Sequence, residues 1–431
     1  MKPNNVYKRN QYILFWLTQA ISQLGSSLTG FALVVWAYKQ TNSAMAISLL
    51  SFCNYLPYII VGVWAGIYVD RHHKKKMMLV CDTIAALASL IILGLYTTSH
   101  LKVWHLYGIN WILGIMNAFQ SPASQVAVGM IVPKEKIEKV SGMNAFSSGL
   151  ITVVSPMLAP CLLAVGGFNM ILVIDLISFS IAFITLAFFI RFDEHKRVKN
   201  RLSIHESLKE GEDFLKREKG ICYLIFSMAM MNFFSRLTYE NILTPMLLSR
   251  SGGSDKVLAT VTGVIGLGGI IGGMLVSIIH IPFARMKGIF WGAAFSFLLG
   301  DVLMGLGQNV WIWLVAGLAA SMPIPMINAM QNNVLYACIP KEIQGRVFAI
   351  QNSVQYCTIP IGILLGGYLA DYVFEPMMKE HHVLLQTLVG TGKGSGMALM
   401  FLCTGILGSI ISILCYRSPY IRQLEQELEK E

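Results

Sequence analysis

The chain has 431 residues, of which 55% are hydrophobic and 13% are charged, about half the charged share of an ordinary soluble protein. Apolar runs of about 20 residues recur from end to end, each long enough to cross ~30 Å of hydrocarbon as a helix. This composition excludes a soluble protein. Because the runs are long rather than short and alternating, they predict an all-α membrane protein, not a β-barrel.

Taken in chain order, the apolar runs predict twelve spans in two sets of six. The first run is too long for a signal-peptide core and has no small-residue cleavage site before the next span, so we expect it to be retained as the first helix. The predicted spans are 11–38, 44–69, 77–97, 103–131, 139–165, 169–191, 221–248, 257–282, 288–307, 310–336, 346–373 and 395–416.

The net charge of +10 indicates topology and not nucleic-acid binding. If both termini lie on one side, the loops on that side hold 26 of the 33 Lys and Arg residues, the opposite loops hold six, and Arg236 lies within a span. Cytoplasmic loops carry such an excess of basic residues. We therefore expect a multi-pass protein of the cell membrane with both termini in the cytoplasm.

The polar stretch Phe192–Gly220 divides the chain into two related halves. Span four ends in Ile-Val-Pro-Lys-Glu and span ten, 207 residues later, in Cys-Ile-Pro-Lys-Glu, which indicates a parallel repeat. The stretch itself predicts an amphipathic cytoplasmic helix that serves as a connector or as a regulatory arm. The expected domains are residues 1–191, the linker 192–220, residues 221–416 and a cytoplasmic tail 417–431.

Several kinds of site have no support in the sequence. The nearest candidate for a phosphate-binding loop, at Gly392-Lys393, is followed by Gly394 and lacks the first glycine, so no ATPase site is expected. The eight cysteines and nine histidines form no metal-ligand pattern. We expect packing roles for the cysteines, solvated His72-His73 and His381-His382 pairs, and no cofactor or metal.

The segment between spans two and three reads Gly66-Ile-Tyr-Val-Asp70-Arg71-His-His-Lys74-Lys75. It resembles the signature of the major facilitator superfamily: Gly, three residues, Asp, a basic residue, two residues and a basic pair. Gly66 permits close helix contact, and Asp70 can accept charge-assisted hydrogen bonds from basic groups or a helix end. We expect a cytoplasmic latch of Gly66, Asp70, Arg71, Lys74 and Lys75. Positive-inside charge alone would explain the lysines but not Gly66 and Asp70.

Further segments resemble the macrolide-efflux type of facilitator, and the similarity covers essentially the whole chain. It implies a major facilitator fold of twelve helices and export of small amphipathic compounds, driven by an ion gradient of protons. The segments are Asn42-Ser43-Ala44-Met45, Leu56-Pro57, Asp70-Arg71, Phe119-Gln-Ser-Pro122-Ala123, Val154-Ser155-Pro156, Ile174-Asp175, Gly345-Arg346-Val347-Phe348, Pro360-Ile361-Gly362 and Ala370-Asp371.

Two positions depart from that resemblance. Leu113 stands where the family has a span-four arginine that is often linked to proton coupling, and Ser155-Pro156 replaces the usual Gly-Pro of span five. We still expect Ser155, Pro156 and Pro160 to bend span five. Proton antiport remains an expectation that these departures leave open.

Ionisable residues at membrane depth are candidates for ion coupling, because burying a charge in lipid is costly. Arg236 and Glu240 lie four residues apart on span seven and are expected to pair. Asp301, near the middle of span nine, is either a proton site or a neutral acid bonded to a neighbouring helix. Asp82 and Asp175 lie near span ends, and we expect structural roles for both.

A polar and aromatic group of residues is expected to line the substrate cavity. Together with the 23 methionines, they predict a deformable surface suited to varied apolar ligands. The expected lining residues are Gln19, Gln23, Tyr55, Asn117, Gln120, Phe233, Phe234, Asn328, Gln331, Asn332, Gln351 and Gln355.

The sequence thus predicts a secondary exporter, not an enzyme, that acts as a monomer in the lipid bilayer on small amphipathic substrates. Within the same class, the alternative is a siderophore or metabolite exporter. From another class, the alternative is a transport-inactive membrane receptor or scaffold, against which the Gly66 and Asp70 motif and the intramembrane charges argue. No nucleophile, base and oxyanion arrangement is found that would indicate a membrane enzyme.

Overall fold

A computed structural model describes residues 3–131, 137–190, 204–278, 285–340, 343–380 and 383–428. Every regular element in these ranges is helical, which confirms the all-α class. The elements are α1 (Pro3–Thr41), α2 (Ala44–Arg71), α3 (Lys74–Thr97), α4 (Val103–Ile131), α5 (Ile137–Ile184), α6 (Ile204–Arg217), α7 (Lys219–Thr238), α8 (Leu243–Arg250), α9 (Asp255–Ile278), α10 (Arg285–Phe295), α11 (Val302–Leu306), α12 (Val310–Ser321), α13 (Ile324–Cys338), α14 (Gln344–Leu369), α15 (Glu375–Lys379), α16 (Val383–Val389), α17 (Ser395–Tyr416) and α18 (Pro419–Leu428), with π-helical segments at Thr185–Phe189, Ser296–Asp301 and Ala370–Phe374.

Among the described residues, ten helical stretches are long and apolar enough to cross a membrane, so the predicted count of twelve is not reached. The predicted span 103–131 is helical as α4, but Asn110, Asn117 and Gln120 lower its hydropathy and it is not among the ten. The predicted spans five and six fall within a single apolar stretch, Ser147–Phe189.

Gly167 divides α5 into two helical parts. Its dihedral angles, φ 68° and ψ −172°, are non-helical and lie in a region that favours glycine. A straight helix of 48 residues would measure about 72 Å, more than twice the hydrocarbon thickness. The break therefore separates two lengths that could each cross a bilayer, and it lies in the predicted gap between residues 165 and 169.

The chain forms two compact units. The first comprises Met1–Asn42 and Leu49–Arg197 and contains two separate apolar clusters. The Leu28 cluster gathers Leu28, Ala32, Ile92, Leu106 and Leu172 with their neighbours. The Tyr12 cluster gathers Tyr12, Phe15, Met78, Ala123 and Leu186. On α1, α3 and α5 the residues between the two clusters include buried polar ones such as Gln19, Asp82 and Asp175, so a polar band separates two apolar layers.

The second unit comprises Ser43–Ser48 and Val198–Glu431. One large apolar cluster joins α7, α10, α13 and α18, with Leu224, Phe290, Val334 and Leu424 among its buried members. Within the polar stretch 192–220, residues 204–217 form α6, whose Leu215 is buried in this cluster. The amphipathic α18 packs on α7, and a side chain added at Gly220 would contact Leu424.

Candidate functional site

The predicted latch is described only in part. Gly66, Asp70 and Arg71 lie on α2, but their side chains are outside the described residues. Lys75 is on the first turn of α3, and its Nζ donates to the backbone carbonyls of Ala187 and Ile190, each at 2.8 Å. These carbonyls lie at the end of a helical segment, where the partial negative charge favours a cation. One lysine of the motif therefore fastens α3 to the end of the first unit's last helix.

The candidate lining residues of the first unit differ in their surroundings. Gln19 is buried and its Nε2 has no hydrogen-bond partner. Tyr55 is partly buried, while Gln23 and Asn117 are exposed. Only Gln120 meets another candidate ionisable group, because its Nε2 donates to Asp82 Oδ1 at 2.9 Å.

Asp175 is the centre of a hydroxyl cluster on three helices. It is 1% exposed, and its carboxylate accepts hydrogen bonds from Ser89 Oγ at 2.8 Å and Ser26 Oγ at 3.4 Å. Any side chain at Gly25 would collide with Ser178 Oγ and press on Asp175, so glycine is needed there for α1 to approach α5. The contacts agree with the structural role predicted for Asp175.

The residues expected to bend span five lie in the continuous first part of α5. Both Pro156 and Pro160 are inside the helix, although each removes a backbone donor. Ser155 is 1% exposed, and its hydroxyl has no hydrogen-bond partner. Gly167, and not the Ser155–Pro160 segment, is where α5 departs from helical dihedral angles.

In the second unit, Arg236 Nη1 and Glu240 Oε2 form the predicted ion pair. The two side chains are 32% and 27% exposed, so the pair is only partly buried. Span seven is not one continuous helix as predicted, because α7 ends at Thr238 and Glu240 lies in the turn before α8. A Cβ at Gly366 on α14 would collide with the Leu237 carbonyl, so α14 crosses very close to this helix end.

Asp301 is the most buried acid of the second unit, at 2% exposure, and ends the π-helical segment Ser296–Asp301. Thr404 Oγ1 on α17 lies 3.5 Å from its Oδ2. The Tyr239 ring, packed edge-on against Phe401 with centroids 5.3 Å apart, is the other polar neighbour. No basic side chain contacts Asp301 among the described residues. Single-turn π-helices often occur at functional sites.

The remaining lining candidates of the second unit do not form one hydrogen-bonded group among the described residues. The rings of Phe233 and Phe234 contact each other edge to face at 5.7 Å. Gln331 and Gln351 are buried, and Gln331 Nε2 has no partner. Gln355 is partly buried, and Asn328 and Asn332 are exposed.

One polar contact was missed by the sequence analysis, although both of its segments carry the family resemblance. Within the second unit, Asp371 accepts hydrogen bonds from Ser43 Oγ at 2.6 Å and from the backbone N–H groups of Ala44 and Met45 at 3.1 and 2.9 Å. A carboxylate at a helix N-terminus satisfies free amide donors and the helix dipole. Asp371 therefore caps α2. Nothing in a single sequence links positions 328 residues apart.

Arg250 and Glu375 were likewise not singled out. Arg250 donates from Nη2 to the Val389 carbonyl and from Nη1 to the Gly305 carbonyl, and its guanidinium lies 5.9 Å from the centre of the Trp313 ring. Glu375 accepts a hydrogen bond from the Met397 backbone N–H at 3.2 Å, at the start of α17. These contacts fasten the ends of helices within the second unit.

Across the described ranges, no three His, Cys, Asp or Glu side chains converge in a way that could hold an ion, and the cysteines are all free thiols. His72 stacks on Tyr68, with ring centroids 3.8 Å apart. His381 and His382 lie outside the described residues.

Comparisons with known proteins agree with this architecture. The sequence model of the Major Facilitator Superfamily matches residues 15–363. Macrolide efflux protein A of Streptococcus pyogenes is 27% identical over 434 residues, covering 99% of this chain and 100% of that protein. The Staphyloferrin A transporter of Staphylococcus aureus is 22% identical, covering 68% of this chain and 71% of that protein.

A solved structure with low sequence identity to this chain also supports the fold. The bacterial homologue of the human lysosomal transporter Spinster, in an inward-facing and unoccupied conformation, superposes with a TM-score of 0.69 at 13% identity. The match covers 100% of this chain and 98% of that one.

Proposed function

This chain belongs to the Major Facilitator Superfamily, and from that premise we propose that it is a secondary active exporter of small amphipathic molecules. It is a transporter and not an enzyme. The observation that carries the proposal is the end-to-end similarity to Macrolide efflux protein A, which extends over 99% of this chain and 100% of that protein. The exposed methionines and aromatic side chains of both units suit a binding surface that adapts to varied apolar ligands.

The proposal includes twelve spans in two halves of six, in the cell membrane, with both termini cytoplasmic. The break at Gly167 and the helical α4 support twelve crossings, because each supplies a crossing that hydropathy alone does not count. Single cysteines, placed in a variant whose eight native cysteines are replaced, would test the layout. An impermeant thiol reagent applied to intact cells should label the 374–394 loop and not the 192–220 loop. Labelling of both loops contradicts this topology.

We propose protons as the coupling ion, with Glu240 and Asp301 as candidates for carrying them. Asp301 is buried without a cationic contact in the described part of the chain, which is the environment in which an acid tends to hold a proton. Substrate accumulation in inverted vesicles should stop when a protonophore collapses the pH gradient. Accumulation that persists without the gradient contradicts proton antiport.

We also propose that the segment Gly66–Lys75 is the cytoplasmic latch of the transport cycle. Support comes from Lys75, whose two carbonyl contacts fix the start of α3 to the end of the first unit's last helix. A latch of this kind must release and reform, so its charges should affect transport rate more than stability.

Export of a siderophore or another metabolite is the second candidate, because the Staphyloferrin A transporter is also a relative. Thermal melting of the purified protein with macrolides, cationic dyes and siderophores distinguishes the two candidates. We expect the macrolides or dyes to raise the melting temperature. A rise in melting temperature with siderophores alone favours the second candidate. If a ligand binds but is not transported, the result favours a receptor or scaffold. Size-exclusion chromatography with light scattering should give a monomer.

A further inference from the structure

Asp82 and Gln120 form an isolated polar pair in the polar band of the first unit. Asp82 is 7% exposed and lies eight residues into α3, about 12 Å along its axis. Its Oδ1 accepts one hydrogen bond, from Gln120 Nε2 on α4 at 2.9 Å. The other oxygen of each group, Asp82 Oδ2 and Gln120 Oε1, is buried and has no hydrogen-bond partner in the described part of the chain.

The two oxygens without partners are both acceptors if the acid is ionised. A buried acceptor without a donor costs about 1–3 kcal/mol, and more when it carries charge. Turning the amide over does not remove this problem, because Gln120 Oε1 would then face Asp82 Oδ1 at the same short distance. In either orientation of the Gln120 amide, the Gln120 oxygen and one Asp82 oxygen have no hydrogen atom available to form a hydrogen bond between them.

A proton on Asp82 supplies the missing hydrogen. A carboxylic acid and a primary amide have matching donors and acceptors, one of each per group. The amide N–H donates to one carboxyl oxygen, and the acid O–H on the other can donate back to the amide carbonyl. Both oxygens without partners then gain a hydrogen bond, and no charge remains buried.

Among the described residues, the charged and titratable groups around the pair offer no alternative counter-charge. The elements packed on α3 are chiefly α4 and α5. On α4, His105 and Tyr107 lie 13 or more residues from Gln120, about 20 Å away. On α5, Asp175 contacts Ser89, about 10 Å along α3 from Asp82. On α3 itself, Cys81 is adjacent, and Lys75 is held by the carbonyls of Ala187 and Ile190.

We propose that Asp82 and Gln120 form a proton-binding site, in which Asp82 carries a proton on one carboxyl oxygen and shares it with the Gln120 carbonyl. This deepens the proton antiport suggested above and rests on it for its role in transport. When the proton leaves for water, the O–H bond breaks and an ionised carboxylate remains with a single amide donor. The ionised state is unfavourable in free energy, so the carboxylate tends to bind a proton again. Asp82, for which the sequence predicts a structural role near a span end, is thus assigned a role in proton binding.

Infrared difference spectroscopy of the purified full-length protein in lipid nanodiscs tests the proton directly. The C=O stretch of a protonated carboxyl is separate from the carboxylate bands and shifts in D₂O. In the wild-type minus Asp82→Asn spectrum at neutral pH, we expect one protonated-carboxyl band. Loss of carboxylate bands instead would mean that Asp82 is ionised, with a water or another donor at Oδ2, and would overturn the proposal.

A second variant tests the sharing with Gln120. In Gln120→Leu the acid loses its acceptor, so the protonated-carboxyl band should move to higher frequency without disappearing. An unmoved band means that the proton is not shared with Gln120. The matched control is Ser180→Ala, since Ser180 is exposed on α5 and its hydroxyl bonds only to the Leu176 carbonyl, and it should leave the band in place.

Thermal melting supplies a readout that does not depend on the spectrum. The amide introduced by Asp82→Asn can form two hydrogen bonds with Gln120, as the protonated acid does, so this variant should melt at or above the wild-type temperature. A fall of several degrees contradicts the proposal. Transport into inverted vesicles keeps the two proposals apart. Wild-type accumulation of substrate that does not respond to a protonophore refutes antiport, while the infrared spectrum still reports whether Asp82 carries a proton.

Discussion

The first unit contains two buried acidic side chains, Asp175 and Asp82, which differ in the number of hydrogen-bond donors around the carboxyl group. Asp175 lies near two hydroxyl groups: Ser89 donates to Oδ2 at 2.8 Å, and Ser26 Oγ lies 3.4 Å from Oδ1 and 3.1 Å from the Ser22 carbonyl, to either of which it can donate. These hydroxyls can stabilise the ionised form of Asp175. Asp82 receives one amide donor, and its second oxygen has no hydrogen-bond donor among the described residues. Neither acid contacts a cation among the described residues. Hydroxyl groups can therefore solvate a buried charge, whereas the donors and acceptors of a single amide match those of a protonated acid better.

The same substitution at both acids tests this contrast most strongly. Asp175→Asn replaces an accepting oxygen by an NH₂ group that faces hydroxyl donors, so we expect a loss of about 2 kcal/mol of stability. Asp82→Asn should cost nothing. Thermal melting of the two variants, with Ser180→Ala as the control, measures the difference. Equal changes in melting temperature for the two variants would mean that the hydrogen-bond donors around each acid do not determine whether it is ionised.

The ion pair of the second unit extends the contrast to an acid with a cation beside it. Arg236→Gln and Glu240→Gln should each lower stability by about 1 kcal/mol, a modest value because about a third of each side chain is exposed. The double variant should recover most of the loss, as measured by a double-mutant cycle in thermal melting. Additive losses would show that the pair is not coupled.

Transport by the double variant then separates two roles for Glu240. If gradient-driven efflux returns together with stability, Glu240 is a structural partner of Arg236 and does not carry the coupled ion. If stability returns and gradient-driven efflux does not, the coupling role stands. Substrate binding, followed by ligand-dependent melting, should be measured alongside to exclude a lost binding site.

Asp371 is an acid whose donors are chiefly backbone amides, and its effect should be smaller. Asp371→Asn removes the charge from the α2 cap but keeps one accepting oxygen, so we expect a loss of about 0.5–1 kcal/mol. Tyr372→Phe, at an exposed neighbouring side chain, is the control. The loss should shrink in high salt because exposed charge–dipole interactions are screened. A salt-independent loss would point to packing instead.

The smallest effect on stability is expected at Asp70, the acid of the latch. Asp70→Asn removes charge but little volume and should slow efflux while leaving expression and melting temperature unchanged. Lys76→Gln, at an exposed side chain of the same basic run, should leave the transport rate at the wild-type value. Wild-type rates in Asp70→Asn at normal expression would show that the latch interpretation is wrong.

Much of the fold could be predicted because lipid demands long apolar helices with internally satisfied backbones. The all-α class followed from that demand, and so did the position of the break between residues 165 and 169. The ion pair of Arg236 and Glu240 followed from their spacing of four residues. What could not be predicted depends on contacts between distant helices. Asp82 and Gln120 are 38 residues apart, and Asp371 and Ser43 are 328 apart. The dihedral break at Gly167 could not be assigned to that residue from the sequence, whereas the bend predicted at Ser155, Pro156 and Pro160 stays a prediction, since these residues lie within the helical part of α5.

The break at Gly167 also limits how this protein can be studied. Two membrane-length helical segments meet there with no polar loop between them, since the residues on either side, Gly166 and Phe168, are still assigned to helix. Proteases, antibodies and inserted epitopes need an accessible, adaptable stretch of chain, whereas residues 147–189 are assigned to helix throughout and depart from helical dihedral angles only at Gly167. Probes for this part of the protein must therefore be small, such as a spin label or fluorophore on a single cysteine at Val165, whose side chain is 84% exposed.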